Sequence, residues 1–178
     1  MKAGFIAQAL VFALCSAAAY AASAAPNDAQ IAAIVVTANQ VDIDAGKLAV
    51  STTKSAPVKS FAELMVKDHT SVNQSASDLV TKLKVTPESN PTSESLKSGG
   101  AENVASLKKL SGAAFDKAYV DHEVAYHQAV LDAVDKTLIP NAKNAELKAL
   151  LVKVRPAFVA HLEHAKSLQA SLAGKPQS

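Results

Sequence analysis

The sequence predicts an all-α protein, an antiparallel four-helix bundle with one long crossover between its second and third helices. Three observations support this prediction. Apolar residues recur every three or four positions in four long segments, which is the period of an amphipathic helix. Glycine and proline fall mostly between those segments. The first and last connections are short, whereas the middle connection is long.

The first hairpin consists of two helices, predicted at residues 27–53 and 56–84. Asn27 followed by Gln30 resembles a capping box, which satisfies backbone donors at a helix start. Ser55 is a candidate cap for the second helix, and Pro57 falls in its first turn, where proline is tolerated. Because the turn between the two helices is short, they are expected to be antiparallel.

The middle connection contains two prolines, four serines and a pair of glycines over residues 85–100, a composition typical of a surface loop. A short helical piece is expected near residues 101–110. A connection of this length can cross the whole bundle. One long crossover in a four-helix bundle is the connectivity of ferritin-like folds.

The second hairpin is predicted at residues 112–138 and 144–173. Pro140 and Asn141 are expected to end the third helix, and Gly174 with Pro176 to stop the fourth. Pro156 lies inside the fourth helix and should kink it, because proline lacks a backbone donor and clashes with the preceding turn.

The amino terminus has the pattern of a secretory signal peptide. Lys2 is followed by an almost entirely apolar run, and Ala22-Ser23-Ala24 fits the small-x-small cleavage site. We therefore expect residues 1–24 to be removed, residues 25–178 to form the bundle domain, and the protein to be periplasmic or secreted. The only cysteine, Cys15, lies inside the signal, so the mature chain would have no disulfide.

Composition and charge exclude several functional classes. Without Lys2 the chain has 17 basic and 16 acidic residues. This nearly neutral balance is typical neither of nucleic-acid-binding proteins nor of proteins with a polybasic membrane patch. After signal cleavage no stretch is long enough for stable membrane insertion. Phosphate-binding loops and nucleophile motifs are absent from the sequence, so no catalytic residues are predicted and enzymatic activity is not favoured. The sequence indicates no particular protein partner.

Polar residues interrupt the apolar face of each predicted helix. His69, His127 and His161 lie on three of these faces, Asp42 lies on the remaining one, and Asp68 flanks His69. Buried imidazoles and carboxylates are ligands that suit Zn, Fe or Cu. The pattern therefore predicts a metal site formed by these five residues, in which Asp42, His69, His127 and His161 bind the ion and Asp68 orients His69. His122 and His164 are secondary candidates.

The heights of these residues in the bundle agree only in part. Asp42 and His69 are equally far from the first turn, so they should lie at the same level. With a second turn near Asn141, His161 would lie about 7 Å farther out than His127. Pro156 or a longer turn could absorb part of that offset.

Two other interpretations remain open. In the first, the inward histidines are hydrogen-bonded core residues of a structural or interaction module of the cell envelope, with a role in stress. The second is a redox enzyme with a di-iron carboxylate centre. It is disfavoured because no glutamate lies three residues before a histidine, as that centre requires.

Several blocks of sequence resemble one bacterial family. They are Ala45-Gly46-Lys47-Leu48-Ala49, Met65-Val66-Lys67-Asp68-His69, Ser111-Gly112-Ala113-Ala114-Phe115-Asp116-Lys117-Ala118-Tyr119-Val120 and Arg155-Pro156 before His161-Leu162. Over residues 28–172 the chain resembles the exported "domain of unknown function 4142" family, whose members are often labelled outer-membrane proteins. The resemblance implies a ferritin-like fold and export, and it implies no established activity.

The resemblance also implies functional positions. The family pattern has an acidic residue, usually Glu, where Asp42 stands, and it shares Asp68, His69, Phe115, Asp116, Tyr119, His127 and His161. Tyr126 occupies a position where an acidic residue is common in the family. His122 and His164 are particular to this chain.

Overall fold

A computed structural model describes residues 25–174. Its helices are α1 (Asp28–Thr52), α2 (Ala56–Leu83), α3 (Pro91–Leu107), α4 (Gly112–Ala133), α5 (Ile139–Asn141) and α6 (Ala145–Ala173), with a π-helical turn, Val134–Leu138, between α4 and α5. The described residues contain no strand, which confirms the all-α prediction. The predicted signal peptide, residues 1–24, lies outside this range.

The first two helices and the last one closely match their predicted bounds. The predicted capping box at the start of α1 is present, because the Asn27 side chain accepts from the Gln30 backbone and the Gln30 side chain accepts from the Asn27 backbone. Asn144 caps α6 by accepting from the backbone N–H groups of Glu146 and Leu147. The α6 helix continues through Pro156.

The prediction of a loop at residues 85–100 is wrong, because most of these residues belong to the 17-residue helix α3. Pro91 occupies the first turn of α3, and Asn90 caps it through a capping box with Ser93. Gly100 is an interior residue of α3, and a Cβ built there would lie 2.6 Å from Val41 Cγ2. The glycine therefore serves close packing of α3 on α1 instead of a turn.

The third predicted helix, residues 112–138, corresponds to α4 and the π-helical turn that ends at Leu138. Pro140 lies inside the short α5, whose last residue is Asn141, one of the two residues expected to end the helix. The chain reverses over residues 142–144, just beyond the predicted turn near Asn141. This shift matters for the heights of the histidines.

The core divides into two main apolar clusters at different heights. One surrounds Phe61, Met65, Phe115 and Tyr119, and the other surrounds Ile31, Ile34, Leu147 and Leu151. A smaller third cluster consists of Leu131, Phe158 and Leu162. Helix α1 packs against α2, α3 and α4, whereas α6 packs against α2 and α4. Within residues 25–174, no helix is both long and apolar enough to cross a bilayer.

Candidate metal centre

A layer of polar side chains separates the two apolar clusters. Asp42, His69, His127 and His161 each lie between buried apolar residues of their own helix, and all four are buried. Polar groups in such a position are costly unless they have partners. The contacts of these side chains therefore decide what the layer can do.

The structure brings together most of the predicted site residues. One nitrogen each of His69, His127 and His161 lies within 4.8 Å of the other two. Asp42 Oδ2 lies 3.2 Å from His69 Nε2 and 3.5 Å from His127 Nε2. Asp68 Oδ2 lies 3.0 Å from His161 Nε2, so Asp68 contacts His161 and not its neighbour His69.

The two predictions about height have different outcomes. The contact between Asp42 and His69 confirms that they lie at one level. The expected offset between His127 and His161 is wrong, because their ring centres are only 5.4 Å apart. The chain reverses over residues 142–144, so the α4 side of the hairpin is longer and the α6 side shorter than predicted, which reduces the offset.

The three imidazole rings surround a common point. Their centres are 5.5, 5.3 and 5.4 Å apart, and their planes are inclined to one another by 64°, 47° and 89°. The point equidistant from the three centres lies about 3.1 Å from each. A zinc ion bound roughly 2.0–2.1 Å from a ring nitrogen would lie about 3.2 Å from that ring's centre. The triangle therefore has the size of a three-histidine zinc site.

Hydrogen bonds determine which nitrogen of each ring carries a proton. Asn39 Nδ2 donates to Val35 O at 2.7 Å, so Asn39 Oδ1 faces His69 and accepts from His69 Nδ1 at 2.7 Å. The backbone carbonyl of Glu123 accepts from His127 Nδ1 at 3.0 Å.

The Asp68 carboxylate accepts from His161 Nε2 at 3.0 Å. The remaining nitrogens are His69 Nε2, His127 Nε2 and His161 Nδ1, all buried and without a hydrogen-bond partner among the described residues. In a neutral imidazole the nitrogen opposite the N–H carries the lone pair. All three lone pairs therefore belong to unpartnered nitrogens.

Asp42 completes the set of candidate ligands. Its Oδ2 is close to two imidazole nitrogens, yet neither contact has the alignment of a hydrogen bond. Ligand atoms around one tetrahedral zinc ion are about 3.3 Å apart, which matches both separations. Asp42 thus lies beside two of the three histidines, and it also belongs to a second group of potential ligands with Glu123 and His127.

Two residues of the cluster were missed from the sequence. Glu123 is 1% exposed, its carboxylate lies 3.4 Å from His127 Nδ1, and one ligand atom each of Asp42, Glu123 and His127 lie within 4.8 Å of one another. Asn39 is buried beside His69. Helical spacing could have indicated both residues, because Glu123 is four residues before His127 and Asn39 is three residues before Asp42, so each lies on the same helix face as its neighbour.

Burial keeps the three imidazoles neutral. Burial, followed by the proximity of His127 and His161, lowers the pKa of His69 to about 2. Burial and His161 lower the pKa of His127 to about 4, although its hydrogen bond to the Glu123 backbone opposes this. Burial also lowers the pKa of His161, against the effect of Asp68. At neutral pH protons therefore do not compete with a metal for these nitrogens.

The two buried carboxyl groups have the opposite shift. Burial raises the pKa of Asp42 to about 7, and the hydrogen bond from Glu123 opposes this. Burial and then the charge of Asp42 raise the pKa of Glu123 well above its usual value. Without a cation, the pair retains a proton near neutral pH. A divalent cation would stabilise the ionised pair and release that proton.

The secondary candidates lie outside the cluster. The half-buried His122 stacks on Tyr126 with ring centres 5.5 Å apart, and His164 is exposed and contacts Phe61 edge-on at 5.0 Å. Tyr126 donates to the backbone carbonyl of Ala38. The structure thus separates three inward histidines from two outer ones.

Residues 25–174 therefore form an all-helical protein with a buried cluster of three imidazoles and two carboxyl groups, the composition of a transition-metal site. The chain belongs to the family described as "Domain of unknown function (DUF4142)", whose sequence profile matches residues 13–168. This match confirms the resemblance noted from the sequence blocks. Comparisons with curated proteins and with solved structures found no match.

Proposed function

We propose that this protein binds a divalent transition metal ion, with zinc as the best fit. His69, His127 and His161 supply nitrogen ligands, and Asp42 supplies an oxygen ligand. The observation that carries the proposal is the convergence of three neutral imidazoles. One nitrogen of each ring makes a hydrogen bond, and the other nitrogen, which has the lone pair, has no partner among the described residues. Such outer partners are typical of metal-ligating histidines.

The alternative role as a purely structural module accounts less well for this layer. In a hydrogen-bonded core each buried nitrogen and oxygen would have a partner. Here three imidazole nitrogens have no partner among the described residues, and each such orphan costs about 1–3 kcal/mol. A bound cation would satisfy all of them together.

Three neighbouring residues would support the ligands without contacting the ion. Asn39 orients His69, the Glu123 backbone orients His127, and Asp68 orients His161. The Glu123 carboxyl group balances charge beside Asp42. Iron and copper are also compatible with nitrogen and oxygen ligands, so the identity of the ion is an outcome of the test.

The test uses protein produced without a histidine tag. Elemental analysis should find about one metal ion per chain, and calorimetry of metal-free protein should show stoichiometric zinc binding. Cobalt substituted at the site should give the visible spectrum of a tetrahedral centre. His161→Ala should weaken zinc binding at least about 100-fold, because it removes one of four ligands.

The matched control is His164→Ala, which removes an exposed imidazole three residues farther along α6. It should leave zinc affinity within about threefold of the unaltered protein. Circular dichroism of both variants, and of His161→Gln if His161→Ala is unfolded, checks the fold. Absence of stoichiometric binding, or equal losses in the two variants, would favour the structural module.

We further propose that α1, α2, α4 and α6 form a ferritin-like four-helix bundle, with α3 packed on the outside of α1. The pairwise packing of these helices supports this arrangement. An experimental structure in which α3 entered the core between them would contradict it.

Export remains a proposal based on the amino terminus. The small-x-small pattern at Ala22-Ser23-Ala24 supports cleavage before Ala25. Mass spectrometry of protein from fractionated cells should find Ala25 at the amino terminus, in the periplasm or the medium. Full-length protein in the cytoplasm would contradict export.

A further inference from the structure

An apolar cavity of about 150 Å³ lies directly beside the candidate metal centre. Residues of α1, α2, α3, α4, the π-helical turn and α6 line it, and aliphatic side chains predominate. Asp42, His69 and His127 of the candidate metal centre are among the lining residues. The metal-binding function proposed above does not use this space.

We propose that this cavity is a binding site for a small, uncharged, apolar molecule of about the size of benzene. Its volume matches that of apolar cavities of about 150 Å³ that bind benzene or xenon in other proteins. An apolar occupant would remove the apolar lining from water and contact side chains that have no packing partner on that side.

The polar side chains at the cavity do not favour a polar occupant. The Asn39 amide is used by Val35 O and His69, and the Tyr126 hydroxyl donates to the Ala38 carbonyl. The imidazole nitrogens of His69 and His127 lie among the ligand atoms of the candidate metal centre. Carbon atoms therefore form most of the surface that an occupant would contact.

Charged molecules would be excluded for a related reason. Asp42 is the only acidic side chain in the lining, and no lysine or arginine contributes to it. An anion would lose its hydration and gain no cationic partner, while it approached a buried carboxyl group. Selection should therefore favour neutral molecules.

A route from solvent lies beside the start of α3. Thr92 and Ala129 both line the cavity and are exposed at the surface. The start of α3 is held in place because Asn90 caps the helix and its Nδ2 donates to Gln30 O at 3.2 Å. Helix α3, which was predicted as a loop, thus forms part of the cavity wall.

The test is a pair of identical substitutions on α6. Val154→Phe adds volume at a lining position, whereas Val152→Phe makes the same change at a side chain that is 53% exposed and absent from the lining. Calorimetry with benzene, and a benzene-dependent rise in Tm, measure binding. Both are run on metal-free and on zinc-loaded protein, so the outcome does not depend on metal binding.

Unaltered protein and Val152→Phe should bind benzene with equal affinity, and Val154→Phe at least 10-fold more weakly. Benzoate, the charged counterpart, should not bind. In nuclear magnetic resonance spectra benzene should shift the imidazole signals of His69 and His127 and leave those of His164 unchanged. If Val154→Phe fails to fold, Ala133→Leu makes the same test from the other side of the cavity.

The proposal is overturned by any of three results. These are no benzene binding to the unaltered protein, equal binding to the lining and surface variants, and binding of benzoate as tight as that of benzene.

Discussion

The side chains of Asn39 and His69 determine each other's orientation across the interface between α1 and α2. The Asn39 amide nitrogen is committed to Val35 O, so its oxygen accepts from His69 Nδ1 at 2.7 Å. This leaves the lone pair of His69 on Nε2, the atom 3.2 Å from Asp42 Oδ2. One buried amide therefore prepares a histidine for coordination.

Replacement of Asn39 should weaken metal binding without removing a ligand. Asn39→Ala leaves His69 Nδ1 without an acceptor, so we expect a loss of about 10- to 100-fold in zinc affinity. Asn39→Asp restores an acceptor and should recover most of that affinity. Competition with a chelator measures the constants, and Gln40→Ala, an exposed neighbour, serves as control. Equal affinities for Asn39→Ala and Gln40→Ala would contradict this role.

Stability of the metal-free protein should be greatest near pH 6.5. The pKa values of His69, His127 and His161 are lowered in the folded state, so their contribution to stability is lost as pH falls below the unfolded value of about 6.5. The pKa values of Asp42 and Glu123 are raised, so their contribution is lost as pH rises above about 4.

Between about pH 4.5 and 6.5 the lowered pKa values of the three histidines oppose the raised pKa values of the two carboxyl groups, so the two effects on stability largely cancel. Above about pH 6.5 only the carboxyl groups still bind protons in the folded state, and stability should fall. Urea unfolding in the presence of a chelator measures the profile. A flat profile between pH 5 and 8 would contradict the burial of these groups in their neutral forms.

Asp42→Asn should affect stability and metal binding in opposite directions. The pKa of Asp42 is raised to about 7, so at pH 8 the folded protein must bury an ionised carboxylate that the amide avoids. Without metal we expect a gain on the order of 2 kcal/mol at pH 8 in urea unfolding. Zinc affinity should fall at least about 10-fold, because a charged ligand is lost. A decrease in both quantities would show that Asp42 is a structural residue only.

Two adjacent glycines in α3 should respond oppositely to alanine. A Cβ at Gly100 would lie 2.6 Å from Val41 Cγ2, so Gly100→Ala should destabilise by about 1–2 kcal/mol. Nothing lies within 4 Å of a Cβ at Gly99, so Gly99→Ala should stabilise by about 0.5–1 kcal/mol through helix propensity. Urea unfolding of both variants measures the difference. Equal effects would show that α3 does not pack on α1 as described.

The inward-pointing site residues could be predicted because helical period alone determines which side chains share a face. Asp42, His69, His127 and His161 each fall among apolar residues at spacings of three and four, and all four are buried. Glu123 and Asn39 obey the same period and were accessible to the same reasoning. Glu123 precedes His127 by four residues, whereas the Glu-x-x-His pattern of di-iron sites has a spacing of three.

The helix α3 was less accessible to prediction. Pro91 and the glycine pair have the composition of a loop, and local propensity disfavours a helix there. Packing of α3 against α1, made possible by the missing side chain at Gly100, outweighs that preference. Tertiary contacts therefore decided this element.

By itself the sequence determined the four long helices and their buried faces, because the periodicity of apolar residues is a local property of the chain. Only the tertiary structure decided that His161 reaches the level of His127, since this depends on where the chain reverses between α5 and α6. The hydrogen bonds that leave three imidazole lone pairs without a partner depend likewise on contacts between residues distant in sequence, such as Asn39 with His69 and Asp68 with His161. Spacing along one helix carries no information about such contacts.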